Sequence, residues 1–145
     1  MEPKFQVQLK IRRPVEQVFD AVIDSKKLTG YFIQASSGPL REGTTVKWSF
    51  AEAPEPLDVI VQSVRENEAI VFDWPTQRGY NTRVEMEFKA LDSANTMVLI
   101  RESGWIADDP GIELSYGNAG GWMHMLCCLK AYLEYQINLR AGGAF

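Results

Sequence analysis

GGWMHMLCCLKAYLEYQINLR, residues 120–140, carries its apolar side chains at helical rather than alternating spacing. At ~100° per residue, Trp122, Met125, Leu126, Leu129, Leu133 and Ile137 fall within one arc, while Lys130, Glu134 and Asn138 lie toward the other side. Gly120 and Gly121 free the backbone ahead of the run, and Gly142–Gly143 are expected to end it. Arg140, in the last expected turn, suits the negative end of the helix dipole. The spacing predicts a helix of about 20 residues, ~30 Å long at ~1.5 Å per residue. One apolar stripe of that length needs a broad apolar surface to lie against.

The residues before it supply that surface. Phe5, Val7, Leu9 and Ile11 alternate with polar neighbours, which predicts an opening strand with one wet face. Pro14 stops it and starts a short amphipathic helix through Val15, Val18, Phe19 and Val22. Ser25 is placed to cap a second helical turn ending near Gly30. The period then changes to two: Thr45–Phe50, Leu57–Val64, Ala69–Trp74, Asn81–Ala90 and Thr96–Ser103 read as strands, with a short one near Gln34–Ser36. Pro54 and Pro56 make 51–56 a loop, and Asp92–Asn95 a hairpin turn. Short connections imply antiparallel neighbours. The expected class is therefore α+β: a six- to seven-stranded antiparallel sheet wrapped around a long C-terminal helix, with two short helices after the first strand.

At 145 residues the chain is expected to form one domain, residues 1–145, large enough for a core without staples. A net charge of −4 with no basic run argues against nucleic acid, which needs Lys/Arg to neutralise phosphates. No uninterrupted apolar stretch is long enough for a membrane-inserting helix, and the start has no apolar leader core. Cys127 and Cys128 are neighbours on the predicted helix and cannot bridge to each other there, so they read as reduced thiols of a cytoplasmic protein.

A twisted sheet of six or seven strands is wider than one helix. The gap that the short helices leave uncovered is an apolar cavity, the kind of place where small molecules bind. The order of elements resembles the helix-grip fold of the START-like (SRPBCC) superfamily. The opening strand with PVEQVFDAV (14–22), the ESGW ending at Trp105 and GWMHMLCCLKAYLE (121–134) resemble bacterial homologues of the activator of heat-shock-protein-90 ATPase. The resemblance spans essentially the whole chain. It implies a central cavity of the kind that, in other members, takes lipids, polyketides or aromatic metabolites. Some members are cyclases or hydrolases, and the family name implies contact with a chaperone.

Candidate ligand-binding residues follow from the inward positions. Trp48 and Trp105 are expected on a cavity wall, Trp74 and Trp122 between wall and core, and Tyr31 and Phe32 at the mouth. Met86, Met123 and Met125 are deformable fillers. If Val98 and Ile100 face inward, Glu102 follows them and brings a carboxylate beside Trp105. If Met97 and Leu99 do, Arg101 takes that place; both registers are open. Glu102 is the candidate for acid–base chemistry, with a rim charge paired to an arginine as its plainer role. His124, the only histidine, sits ~200° from Trp122 on the helical wheel, so it is expected at the surface or in packing. Paired with Cys128 it offers two ligands from one helix and no more, so no metal or other cofactor is expected. The glycines of GNAGG (117–121) read as a flexible entry into the helix. Three functions stand: a non-catalytic binder of a small hydrophobic molecule, a cyclase- or hydrolase-type enzyme, and a chaperone-associated protein of open oligomeric state.

Overall fold

The computed structural model describes residues 2–144. Its elements are β1 (Lys4–Ile11), α1 (Val15–Ile23), α2 (Ser25–Leu28), β2 (Ala35–Ser36), β3 (Thr45–Ser49), β4 (Leu57–Arg65), β5 (Ala69–Pro75), β6 (Asn81–Asp92), β7 (Asn95–Ser103) and α3 (Asp109–Tyr135). The seven strands form one antiparallel sheet in the order β1-β7-β6-β5-β4-β3-β2. This is the expected α+β helix-grip architecture, with β1 carried across to pair with the last strand.

Alternation sorts the two faces. Val7, Ile100, Met86 and Ile70 stand in one cross-strand row, and Phe5, Glu102, Val84, Phe72 and Val61 in the next. These rows meet Trp122, Met125, Leu126, Cys128 and Leu129 of α3 in the core. Phe19 of α1 packs edge-on against Phe88, 5.2 Å between centroids, and covers the far end of the sheet. The outer face carries charge pairs: Arg83 with Asp73 at 3.0 Å, and Glu87 with both Lys89 and Arg101 at 3.6 Å.

The long helix differs from its expected span at both ends. It starts eleven residues before Gly120, because Asp108 caps it by accepting from the Gly111 amide at 2.8 Å, with Pro110 in the first turn. Arg78 holds that cap through two bonds of 2.9 Å. Gly111 is required there, since a Cβ would lie 1.8 Å from the Ile106 carbonyl oxygen. The GNAGG stretch is thus helix and not a flexible entry. At the other end Gln136 turns left-handed (φ 56°) and stops α3 well before Gly142. Ile137 consequently leaves the apolar arc and is 51% exposed, and Arg140 is outside the helix altogether.

Three smaller expectations also change. Asp24, not Ser25, caps α2, accepting from the Lys26 amide at 2.8 Å. Leu133, in the expected apolar arc, is only half-buried. Glu134, assigned to the wet side, is buried. It accepts from the Arg12 amide (3.0 Å), Arg12 Nε (2.6 Å) and Lys130 Nζ (2.5 Å), which ties α3 to the end of β1.

Candidate functional site

Where α3 carries Gly121 in place of a side chain, a Cβ would meet nothing within 4 Å. A cavity of about 260 Å³ opens there. Its aromatic walls are Phe32 after α2, Phe50 just past β3, Trp74 near the end of β5 and Trp122 of α3. Leu57 and Ala53 continue the apolar lining, and Asn118, Gly121 and His124 line it from the helix. Glu52 and Arg140 complete the rim. Ring centroids lie 5.1 Å apart for Trp74–Trp122, 5.2 Å for Phe32–Phe50 and 5.9 Å for Phe32–Trp122, so the walls brace one another.

Arg140 returns over this mouth. Its guanidinium lies 5.7 Å from the Phe32 ring centre and 5.9 Å from that of Phe50, and it is paired with Glu52. Arg140 Nη1 also stands 3.5 Å from His124 Nδ1. His124 Nε2 stands 3.5 Å from Cys128 Sγ.

Glu102 lies behind the wall. Val98 and Ile100 point inward, which settles the open register: Glu102 follows them, 1% exposed, and Arg101 faces out. Among the described residues no arginine pairs with it, contrary to the rim-charge expectation. Its carboxylate instead accepts from Trp122 Nε1 (2.8 Å), Thr82 Oγ1 (2.5 Å) and Asn118 Nδ2 (3.0 and 3.2 Å). Burial pushes its pKa above the usual carboxylate range, and the three donors pull it back only in part. Thr82 Oγ1 is also 3.3 Å from the Trp74 carbonyl. With a single proton it donates to the carboxylate, and can turn to the carbonyl once Glu102 carries a proton of its own.

Glu102 therefore positions Asn118 and Trp122, two residues of the cavity wall. Glu102→Gln should keep a partner for each of the three: Oε1 accepts from Trp122 and from Asn118, whose second bond, to Oε2, is lost, and Nε2 donates to Thr82. Because the folded pKa is raised, the wild-type carboxyl weakens the fold as pH rises from its unfolded value of 4.5 through the folded one. Glu102→Gln should be at least as stable as wild type at pH 7, with any advantage vanishing below pH 4.5. Denaturant midpoints at the two pH values test this. A loss at pH 7 would mean that the ionised form is what the site requires.

Of the other expected residues, Phe32, Trp74 and Trp122 face the cavity. Trp48, Met86 and Met125 are fully buried behind it, and Tyr31, also buried, lines an adjoining pocket with Phe32. Trp48 touches Phe32 and Trp74 with centroids 5.9 and 6.0 Å away, and Tyr31 donates to the Ala21 carbonyl at 2.9 Å. Trp105 packs on Phe5 at 5.7 Å, away from the opening. His124, expected away from the apolar stripe, stands on the cavity wall. Phe50, Glu52, Leu57, Asn118, Gly121 and Arg140 were not singled out as site residues from sequence. Asn118 could have been, since four residues before Trp122 it shares that helical face. Among the described residues no three His, Cys, Asp or Glu side chains gather as a metal site would need.

The family model described as Activator of Hsp90 ATPase homolog 1-like protein matches residues 12–134. The solved structure of the protein SSP2350 from Staphylococcus saprophyticus is similar, with a TM-score of 0.80 and 26% identity over 94% of this chain and 96% of that one. DynU16, a putative protein in the dynemicin biosynthetic locus, gives 0.80 at 23% identity, covering 94% of this chain and 49% of its own. The Aha1 dimer from Colwellia psychrerythraea gives 0.75 at 19% identity, over 91% and 96%. No curated protein matches. The matched span runs from Arg12 to Glu134, the two partners of the ion pair that joins β1 to α3, and on that span the chain belongs to the Activator of Hsp90 ATPase homolog 1-like family.

Proposed function

We propose that this chain is a non-catalytic binder of a small hydrophobic or aromatic molecule, such as a lipid, polyketide or similar metabolite. The observation that carries this is the cavity of about 260 Å³ whose walls are four aromatic rings and whose polar groups are few. DynU16, similar in fold, comes from a biosynthetic locus, which suits a small-molecule role. Two thiols without a bridge between them suit the cytoplasm. Among the described residues no helix is long and apolar enough to cross a membrane.

An enzyme of the cyclase or hydrolase type is supported by Glu102, a buried carboxyl without a cationic partner among the described residues. Its oxygens, however, are occupied by Thr82, Asn118 and Trp122, so it is one side chain removed from the cavity. A chaperone contact is supported by the family description alone, since the outer sheet face carries paired charges rather than an apolar patch.

The test is a panel of flat aromatic and fatty compounds, titrated while tryptophan emission and melting temperature are followed. Trp74 and Trp122 line the cavity, so emission should respond. A ligand at 100 times its dissociation constant that binds only the folded state should add ~2.7 kcal/mol. Silence from every compound would remove the binding function. A ligand recovered chemically changed would move the enzyme ahead.

A further inference from the structure

We infer that the cavity's ligand is an amphiphilic carboxylic acid whose carboxylate takes the place of Glu52 on Arg140; this rests on the binding function proposed above. The argument begins with two compartments. The cavity of about 260 Å³ is walled by Phe50, Leu57, Trp74 and Trp122, whereas an adjoining one of about 440 Å³ includes Thr29, Gln34 and Asn138. Both are lined by Phe32, Glu52 and Arg140. The Glu52–Arg140 pair therefore stands at the boundary between an apolar compartment and a more polar one.

The two partners of that pair are held very differently. Arg140's side chain is 13% exposed and its guanidinium lies against Phe32 and Phe50, so the cation is fixed at the mouth. Glu52's side chain is 29% exposed and rides on the exposed loop between β3 and β4. It can swing into water at little cost, and it shows that Arg140 accepts a carboxylate here. Among the described residues Arg140 is the one lysine or arginine on the apolar compartment's wall. Its planar fork matches a carboxylate better than any other anion-binding group of the chain's repertoire. An incoming cation would meet that fixed charge, and a neutral ligand would leave the pair as it is. An acid with an apolar body satisfies both compartments at once. The smaller cavity equals the liquid volume of about nine waters at ~30 Å³ each, room for a single ring on a short chain.

Hydrocinnamate, its primary amide and phenylpropylamine share one body and differ at the head. Titrated against the full chain with tryptophan emission as readout, the acid should bind roughly tenfold more tightly than the amide. Glu52→Gln should tighten the acid and leave the amide unchanged, because the resident competitor is gone. Arg140→Gln should erase the preference for the acid while the amide still binds, and Arg140→Lys should retain part of it. Melting curves confirm that each variant is folded before it is titrated. Equal affinity for acid and amide, a tighter amine, or an acid weakened by Glu52→Gln would each overturn the inference while cavity binding itself stood. Silence from all three compounds, in wild type and variants, would overturn both.

Discussion

Leu129→Ala should destabilise the fold by about 2–5 kcal/mol, and Leu133→Ala by distinctly less. Leu129 is 0% exposed and belongs to the cluster in which α3 meets the inner rows of the sheet. Truncating it removes buried methylenes and leaves a hole that the surrounding strands, fixed by their ladders, cannot close. Leu133, one turn later, packs against the same cluster but is only half-buried, so water already reaches part of what is lost. The measurement is the urea midpoint of each variant at unchanged slope. Equal shifts for the two, or none for Leu129→Ala, would mean that α3 does not lie on the sheet by the face described.

The second large effect is expected from a charged residue. Glu134→Ala should cost about 2–3 kcal/mol, because the Arg12 amide loses its acceptor and Lys130 loses its buried counter-charge. A fully buried pair would cost ~3–5 kcal/mol, but the Arg12 side chain is 57% exposed and water takes over part of its role. The pH dependence identifies the source. Burial alone would raise the Glu134 pKa; the Arg12 amide, Lys130 and the Arg12 guanidinium outweigh it and hold the carboxyl at about 2, below its ordinary 4.5. Since the folded value is the lower one, the stabilisation is complete above pH 4.5 and is lost as pH falls through about 2. The gap between wild type and variant should be flat from pH 7 to 4.5 and shrink below. A gap that does not shrink in acid would assign the loss to packing instead.

Most of the sheet was legible because alternation is a strong signal when one face is dry. The inner residues of β6, Val84, Met86 and Phe88, could be picked from the sequence directly. On β7 the signal failed, since Met97 and Leu99 on one face are as apolar as Val98 and Ile100 on the other. Only pairing decided it: β7 lies between β1 and β6, and Val98 and Ile100 are matched to Leu9 and Val7 on one side and Phe88 and Met86 on the other.

The site was less legible than the fold, and the error has a separate origin at each end of the long helix. Gly117, Gly120 and Gly121 are poor helix formers, each costing ~1 kcal/mol relative to alanine, so propensity placed the helix start after them. The Asp108 cap, Pro110 and the packing of Gly111 override that preference. With the start misplaced, Asn118 was left in a loop, although ~40° from Trp122 on the wheel it belongs to the same face. Of the glycines read as a way into the helix, Gly121 lines the cavity beside it. The far end erred for a different reason. A glutamine in the left-handed region, at φ 56°, carries no sequence signature, so nothing separated Arg140 from the helix.

The place of β1 in the sheet also sets a timetable for synthesis. Lys4 pairs with Ser103 and Ile11 with Thr96, so among the described residues β1 has its one strand partner in β7, the last strand in chain order. At ~5–20 residues per second, a ribosome needs on the order of 5–20 s to produce that partner. Throughout this interval Phe5, Val7, Leu9 and Ile11 wait for β7 to lie beside and for α3, which packs on β1, to cover them. Every second residue ahead of them in β1 is Lys or Gln, from Lys4 to Lys10, which keeps the waiting strand soluble and discourages it from pairing with a neighbouring nascent chain.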